Sequence, residues 1–228
     1  MAVSPTSFEW VRSLLAERAG NALPADKVYL VETRLTPIAK KAGAAGVDSL
    51  VAELRATPDF ERERQIVEAM LTHESSFFRD EDTFKLLGST LLPELIEQRQ
   101  DCRKLAIWSA ACAAGQEPCS VAMLIEEQFP GLADWEVPIV ATDFSRRTLA
   151  QARTGLYTES QIQRGLTHER KQRFFREEHN RWQISEDLLN SIEYSQINLC
   201  DEPPPLPQFD LILLRNVLIY LTVEARQQ

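Results

Sequence analysis

The sequence lacks the features that mark membrane, secreted and zinc-binding proteins. No apolar run approaches the ~18 residues that a membrane-spanning helix needs, and the N-terminus has no basic start followed by an apolar core. The four cysteines form no C-x-x-C pair and the three histidines lie far apart, which argues against a zinc site. We therefore expect a cytoplasmic protein with reduced thiols, no bound metal and no membrane insertion.

Basic residues are too few for a protein built mainly to grip nucleic acid. The 25 lysines and arginines face 34 aspartates and glutamates, which gives a net charge of -9. A nucleic-acid partner is not expected, because such binding needs a basic face. The 228 residues, 44% of them hydrophobic, are ordinary for a globular protein and suffice for one large domain or two small ones.

The sequence pattern of residues 1–80 predicts a small all-helical bundle. Apolar residues recur at helical spacing through several short stretches that are separated by glycine or proline. A longer helix is expected over about 81–98, with Pro93 bending or splitting it. We place an N-terminal helical domain at 1–80 and a second domain at 81–228.

The second domain predicts an α/β fold, because short apolar strands alternate with helices there. The connection from Asp143 to Ile192 is too long for one crossover helix, so a small inserted β-subdomain is expected at about 156–191. Only six residues follow Thr222, too few for a stable helix. We therefore expect the chain to be truncated, with the C-terminal strands of its mostly parallel sheet missing.

Polar residues follow the four expected strands of the main sheet. Ligands of open parallel sheets bind outside the carboxyl ends of the strands, so these residues should border one crevice. They are the loop after residue 109, Asp143, Asn198 and the pair Arg215–Asn216.

The loop 108-WSAACAAGQEP-118 indicates the class of ligand. It contains one glycine, Gly115, where a dinucleotide-binding loop would have three, and Glu117 stands close by. A pyrophosphate would not tolerate that carboxylate, whereas a cationic ligand would favour it. Asp143 could accept bonds from both hydroxyls of a ribose, or could simply cap the next helix. S-adenosylmethionine fits, since it has a ribose, a sulfonium and an amino group but no phosphate.

Several blocks of sequence occur in order and at workable spacing: 72-THESSFFRD-80, 108-WSAACAAGQEPCS-120, 141-ATDFS-145, 153-RTGLY-157, 195-SQINL-199 and 214-LRNVLIYL-221. In these blocks the chain resembles the CheR family of chemoreceptor glutamate methyltransferases. This resemblance implies an N-terminal helical domain and a Rossmann-like S-adenosylmethionine methyltransferase domain with an inserted small β-subdomain. It also implies methyl transfer from S-adenosylmethionine to receptor glutamates, which gives glutamate methyl esters.

The resemblance also implies which residues contact the cofactor. These are His73, Ser75, Arg79, Glu117, Asp143, Asn198, Leu199, Arg215 and Asn216. Relatives commonly have asparagine in place of His73, threonine in place of Ser75 and tyrosine in place of Cys119.

Two residues are the catalytic candidates. The Arg79 guanidinium could donate two parallel hydrogen bonds to a carboxylate of the cofactor or the substrate. The Tyr220 hydroxyl could orient the carboxylate oxygen that attacks the methyl group. The glutamate that accepts the methyl group is already ionised near pH 7, so no strong base is required.

Chemoreceptor cytoplasmic helices are the expected partner. The docking candidates on the N-terminal helices are Lys27, Arg34, Lys40 and Lys41, although their spacing fits a solvated helix surface equally well. Some relatives bind a receptor C-terminal pentapeptide through a glycine-containing loop. The corresponding stretch, 174-FFREEHNRWQIS-185, is short and has no glycine, so no such tether is expected.

Two other functions remain open. A methyltransferase for nucleic acid or a small molecule is one, although the acidic balance and the Phe77–Phe78–Arg79 block speak against it. A non-catalytic module that binds cofactor or receptor is the other, if truncation has removed activity.

Overall fold

The structure is a computed structural model that describes residues 3–202 and 204–227. The chain forms two compact units, one made of Met1–Thr72, Asn198–Glu202 and Asn216–Gln228, the other of His73–Ile197 and Pro203–Arg215. The division after Thr72 differs from the boundary expected at residue 80. The physical reason is that Phe77 and Phe78 are buried in the core of the second unit.

The first unit contains the expected helical bundle. Its helices are α1 (Pro5–Ala19), α2 (Val28–Lys41), α3 (Val47–Ala56) and α4 (Phe60–Met70). The side chain of Ser4 caps α1 by accepting from the Ser7 amide, and Gly20 ends that helix in a left-handed conformation with φ 58°. The core is apolar and fully buried at positions such as Leu15, Leu35 and Leu50.

The second unit begins with a helical segment in two parts. Helix α5 covers Glu81–Leu86, and α6 covers Leu92–Arg99. Between them lies a π-helical turn, Leu87–Leu91, which ends two residues before Pro93. Proline has no amide hydrogen to continue the ladder, so it sits in the first turn of a new helix. The helix expected over 81–98 is therefore split.

A four-stranded sheet forms the core of the second unit and confirms the expected mostly parallel α/β fold. The strands of the unit are β1 (Ile107–Ala110), β2 (Ile139–Asp143), β3 (Leu156–Tyr157), β4 (Phe175–Glu178), β5 (Arg181–Ile184), β6 (Ile192–Gln196) and β7 (Leu211–Leu214). The main sheet has the order β6-β2-β1-β7, and every pair in it is parallel. Helix α7 (Gln116–Gln128) follows β1, and α8 (Arg146–Thr154) follows β2.

The stretch after α8 holds a second, three-stranded sheet. It has the order β3-β5-β4 with antiparallel pairs, and the short helices near it are α9 (Glu159–Gln163), α10 (His168–Phe174) and α11 (Glu186–Asn190). Two residues with positive φ, His179 and Asn180, connect β4 to β5. Tyr157 is buried, and its ring packs edge-on against Phe77 with the centroids 4.9 Å apart.

The described residues contain neither a membrane-spanning helix nor a cluster of metal-binding side chains. Within 3–202 and 204–227, no helix has the length and apolar character to cross a membrane. The same residues contain no cluster of three or more histidine, cysteine, aspartate or glutamate side chains that could hold a metal ion.

Candidate functional site

The loop between β1 and α7 makes a tight turn at the carboxyl edge of the sheet. Ala111, Ala113 and Gly115 have positive φ angles of 58°, 50° and 86°. Left-handed conformations are uncommon for alanine, and they cluster where a fold holds a functional loop. A Cβ on Gly115 would lie 2.9 Å from the hydroxyl of Tyr194, so the loop also needs the small residue there.

Glu117 is a largely buried carboxylate in the first turn of α7, with its side chain 14% exposed. The Ser109 hydroxyl donates to its Oε1 at 2.7 Å, and Arg215 Nη1 donates to its Oε2 at 3.0 Å. Burial raises the pKa of the Glu117 carboxyl above its usual value, while the bonds from Ser109 and Arg215 oppose that rise. The start of a helix is also a favourable place for a negative charge.

Arg215 joins three parts of the second unit. It follows β7, and its guanidinium bonds to Glu117 on α7. Its Nη2 also donates to the backbone carbonyl of Arg79 and, at 3.0 Å, to Asp80 Oδ2. The side chains of Arg215 and Glu117 are each only 14% exposed. The pair therefore fixes the position of the 79–80 backbone relative to the start of α7.

The segment before α5 is anchored by its two phenylalanines. The Phe78 amide donates to Ser120 Oγ on α7 at 2.9 Å, and Phe78 itself adopts a left-handed φ of 47°. Gly165 packs so closely that a Cβ there would lie 1.8 Å from the Phe77 carbonyl oxygen. Arg79 follows directly and is half-buried, and its Nη1 donates to the Glu74 carbonyl at 2.9 Å.

Asp143 connects the loops that follow β1 and β2. Its Oδ2 accepts from the Ala113 amide at 2.9 Å, and its Oδ1 accepts from the Ser145 amide at 2.9 Å. The Thr148 hydroxyl also donates to Oδ1, at 3.3 Å. The helix cap is Ser145, whose side chain accepts from the Thr148 amide, so the capping role considered for Asp143 belongs to its neighbour.

His73 and Ser75 lie in the same unit as these residues. His73 Nδ1 is 3.8 Å from Asp143 Oδ1, and its side chain is 15% exposed. Ser75 is half-buried in the segment that leads to Phe77. The second unit thus holds six of the expected cofactor contacts: His73, Ser75, Arg79, Glu117, Asp143 and Arg215.

We expect Asp143→Ala to lower the free energy of unfolding by about 2 kcal/mol or more, because it leaves two buried amides without an acceptor. Asp143→Asn keeps one acceptor oxygen and should cost less. Denaturant titration of both variants beside the unchanged chain checks this. An alanine variant as stable as the parent chain would show that these amides do not depend on Asp143.

The remaining expected contacts belong to the first unit. Asn198 Nδ2 donates to the Arg18 carbonyl at 2.8 Å, and Asn198 Oδ1 accepts from the Cys200 amide at 3.2 Å. Its side chain therefore holds a turn against the end of α1. Leu199, Asn216 and Tyr220 are in the same unit. Tyr220 ends a 3₁₀ turn with its side chain half-buried, and its carbonyl accepts from the Ala22 amide at 2.8 Å.

The four basic docking candidates have different environments. Arg34 Nη1 donates to the carbonyls of Met70 and Leu71 at 2.6 and 3.2 Å, so it satisfies the carboxyl end of α4. Lys27 Nζ lies 3.4 Å from Asp26 Oδ2. Lys40 and Lys41 are exposed in the last turn of α2. Arg34 therefore stabilises the end of α4, a role that its position in the sequence relative to the three lysines did not indicate.

Sequence reasoning missed two polar partners in this region, Ser109 and Asp80. Ser109 is a fully buried serine within a short apolar strand, which is the signal that could have identified it. The cysteines in and beside the loop add no reactive thiol, because burial raises the pKa of Cys119 to about 11 and that of Cys112 further. The expectation that Cys119 is a small buried residue agrees with its complete burial.

The parallel sheet and the polar residues at its carboxyl edge define an α/β domain with a candidate ligand crevice. Comparison with known families agrees. Residues 73–228 match the family model "CheR methyltransferase, SAM binding domain". Residues 6–72 match the model "CheR methyltransferase, all-alpha domain". The chain therefore belongs to the CheR methyltransferase family.

Curated relatives are similar along the whole chain. Chemotaxis protein methyltransferase Cher2 of Pseudomonas putida is 35% identical, over 100% of this chain and 84% of the relative. Chemotaxis protein methyltransferase 1 of Pseudomonas aeruginosa is 36% identical over the same shares. The chemotaxis protein methyltransferase of Vibrio parahaemolyticus is 34% identical, over 99% of this chain and 82% of the relative.

Proposed function

We propose that this protein transfers a methyl group from S-adenosylmethionine to glutamate side-chain carboxylates of chemoreceptors and forms glutamate methyl esters. Membership of the CheR methyltransferase family supports the methyl transfer, and the relatives named as chemotaxis methyltransferases support the receptor substrate. The observation that carries the proposal is the largely buried Glu117 carboxylate at the start of α7, next to a loop with a single glycine.

The donor set at this edge fits a cofactor with a positive charge and no phosphate. Glu117 is an anion held by Ser109 and Arg215, and it would repel a pyrophosphate at the same helix start. When bound, S-adenosylmethionine supplies a methyl group on a cationic sulfur, and its transfer to a carboxylate leaves a neutral thioether and a neutral ester. Glu117 would hold the cationic amino-acid end, and Asp143 would accept from the ribose through its remaining lone pairs.

The task of the protein is mostly to position the reactants. Ordering two reactants in a site can supply about 7–11 kcal/mol of the barrier, and an ionised acceptor glutamate needs no base. In this proposal Arg79 binds a carboxylate and Tyr220 orients the attacking oxygen. His73, Ser75, Asn198, Leu199, Arg215 and Asn216 complete the proposed cofactor contacts.

The proposed partners are chemoreceptor cytoplasmic helices. Lys40 and Lys41 are the exposed cations of α2 that could meet an acidic helix, with Lys27 nearby in sequence. The two-residue turn at His179 and Asn180 supports the absence of a pentapeptide tether, because it offers no extended loop. Four free cysteines fit the proposed cytoplasmic location.

We expect cofactor affinity to depend on the protonation of Glu117. Burial raises the pKa of this carboxyl above its usual value, so affinity for the cation should rise as pH rises through the higher pKa. The folded state holds more protons than the unfolded state in that window, so the unfolding free energy of the ligand-free protein falls there as pH rises. Titration calorimetry with S-adenosylhomocysteine from about pH 5 to about pH 8 checks the first effect. The Glu117→Gln variant should lose this pH dependence, and an identical dependence in both proteins would contradict the assignment.

Transfer of an isotope-labelled methyl group tests the proposed function. The protein is incubated with labelled S-adenosylmethionine and either a receptor cytoplasmic fragment or RNA of similar mass. We expect label in the receptor fragment alone. Label in RNA, or binding of the cofactor without transfer to any receptor fragment, would overturn the proposal.

A further inference from the structure

The Ala114 carbonyl, in the loop before α7, takes its hydrogen-bond donor from a distant side chain. Ala114 is buried. The chain supplies no amide donor four residues further on, because residue 118 is a proline without an amide hydrogen. The Tyr157 hydroxyl donates to this carbonyl instead, at 3.2 Å. Buried carbonyls are seldom left unpaired in folded proteins, so this bond is part of what holds the loop.

Two side chains hold the two ends of the Ala113–Ala114 dipeptide. Asp143 accepts from the Ala113 amide at 2.9 Å, and Tyr157 donates to the Ala114 carbonyl. Ala113 and Gly115 have left-handed φ angles of 50° and 86°. Such a conformation persists at a non-glycine residue only where the surrounding contacts determine it. Asp143 belongs to the main sheet, whereas Tyr157 lies on β3 of the small three-stranded sheet.

The direction of the Tyr157 hydroxyl follows from its neighbours. Its proton points to the Ala114 carbonyl, so its oxygen can accept from the Cys119 thiol, 3.6 Å away. Burial raises the pKa of Cys119 to about 11 and that of Tyr157 well above its usual value, so both groups keep their protons near pH 7. The Tyr157 ring packs edge-on against Phe77 and Phe175. The core therefore fixes the ring that carries this donor.

We propose that Tyr157 is a positioning residue of the cofactor site, through which the small three-stranded sheet holds the loop before α7 in the conformation that binds the cofactor. The proposal rests on the proposed function, in which this edge of the sheet binds S-adenosylmethionine. Tyr157 itself touches no cofactor atom and acts through the Ala114 carbonyl. A loop that is ordered before binding does not have to be ordered by the ligand, so the bond should raise cofactor affinity.

Removal of the hydroxyl tests this role. Tyr157→Phe keeps the ring and its packing, so the variant should fold, but the Ala114 carbonyl loses its donor. We expect S-adenosylhomocysteine to bind this variant about tenfold more weakly in titration calorimetry, which corresponds to one neutral hydrogen bond. In methyl transfer, KM for S-adenosylmethionine should rise by a similar factor while kcat stays within about twofold, because the bond supports binding rather than the transfer step.

Two control variants separate positioning from a general loss of stability. The Tyr194 hydroxyl lies 3.9 Å from the same Cys119 sulfur, so Tyr194→Phe removes a neighbouring hydroxyl but keeps the bond to the loop. Its affinity for S-adenosylhomocysteine should stay within about twofold of the parent chain. Phe175→Leu loosens the aromatic packing around Tyr157 and should lower the melting temperature without changing this affinity beyond the same limit.

Hydrogen exchange of the ligand-free proteins reports on the loop itself. The Ala113 amide donates to Asp143, and the Gly115 amide donates to the Cys112 carbonyl at 3.0 Å. Both amides should exchange faster in Tyr157→Phe than in the parent chain, because the loop opens more often without its second anchor. They should exchange at the parent rate in Tyr194→Phe.

The outcomes distinguish this inference from the proposed function. Unchanged S-adenosylhomocysteine affinity in Tyr157→Phe, an equal loss in Tyr194→Phe, or unchanged exchange of the loop amides would overturn the role of Tyr157 and leave the proposed function standing. A fall in kcat with KM unchanged would also overturn it, since the bond would then not act on cofactor binding. Failure of the parent chain to bind S-adenosylhomocysteine would overturn the proposed function and this role with it.

Discussion

Replacing Arg79 by alanine is expected to lower kcat/KM for methyl transfer to a receptor fragment by about 100-fold. The buried Phe77 and Phe78 hold the backbone before Arg79, and Arg215 binds the Arg79 carbonyl, so the direction of this side chain is set by the core. One of the five N–H donors of the Arg79 guanidinium bonds to the Glu74 carbonyl, and the other donors can still bind a carboxylate. Loss of a charge-assisted bond of about 3 kcal/mol corresponds to that factor.

Steady-state kinetics with the cofactor and a receptor fragment measure this effect. Arg79→Lys keeps the charge without the planar fork and should recover only part of the activity. Arg181→Ala, at an exposed position on β5, is the matched control and should leave kcat/KM unchanged. Activity of the Arg79→Ala variant within about threefold of the parent chain would remove Arg79 from the proposed mechanism.

Replacing Arg215 by alanine is expected to lower the free energy of unfolding by about 3 kcal/mol. The change leaves Glu117 buried without its cationic partner, and it removes the bonds to the Arg79 carbonyl and Asp80. Breaking a buried ion pair by removing one partner costs about 3–5 kcal/mol, and the residual exposure of both side chains favours the lower end.

A double-mutant cycle with Glu117→Gln isolates the ion pair. If the stranded carboxylate causes the loss, Arg215→Ala should cost clearly less in the Glu117→Gln background than in the parent chain. Denaturant titration of the four proteins gives this difference. Equal costs in the two backgrounds would show that Arg215 stabilises the unit through its other contacts.

The fold followed from the sequence wherever a pattern repeats locally. Helical periodicity predicted the bundle of α1 to α4, and short apolar strands between helices predicted the parallel sheet. The boundary at residue 80 was less accurate, because the placement of Phe77 and Phe78 depends on which core they enter. No local pattern carries that information.

The candidate site was predictable for residues that follow strands and less so for their partners. Asp143 stands out as an acid at the end of an apolar strand, and Glu117 stands out as an acid close to the single glycine of the loop after β1. The bonds from Ser109 and Arg215 to Glu117 join residues far apart in the chain, so spacing could not reveal them. Arg34 was grouped with lysines by charge, although a guanidinium that reaches two carbonyls at the end of α4 has a structural role.

The chemical form of the transferred methyl group tests the central claim most directly. A receptor cytoplasmic fragment is labelled by this protein with methyl-labelled S-adenosylmethionine, purified and treated with mild alkali, which hydrolyses carboxyl methyl esters to methanol. We predict that the label leaves as methanol, and that a fragment with its acceptor glutamates changed to alanine takes up none. Label that stays on the fragment after alkali, or that reaches the alanine fragment equally, would contradict glutamate methylation.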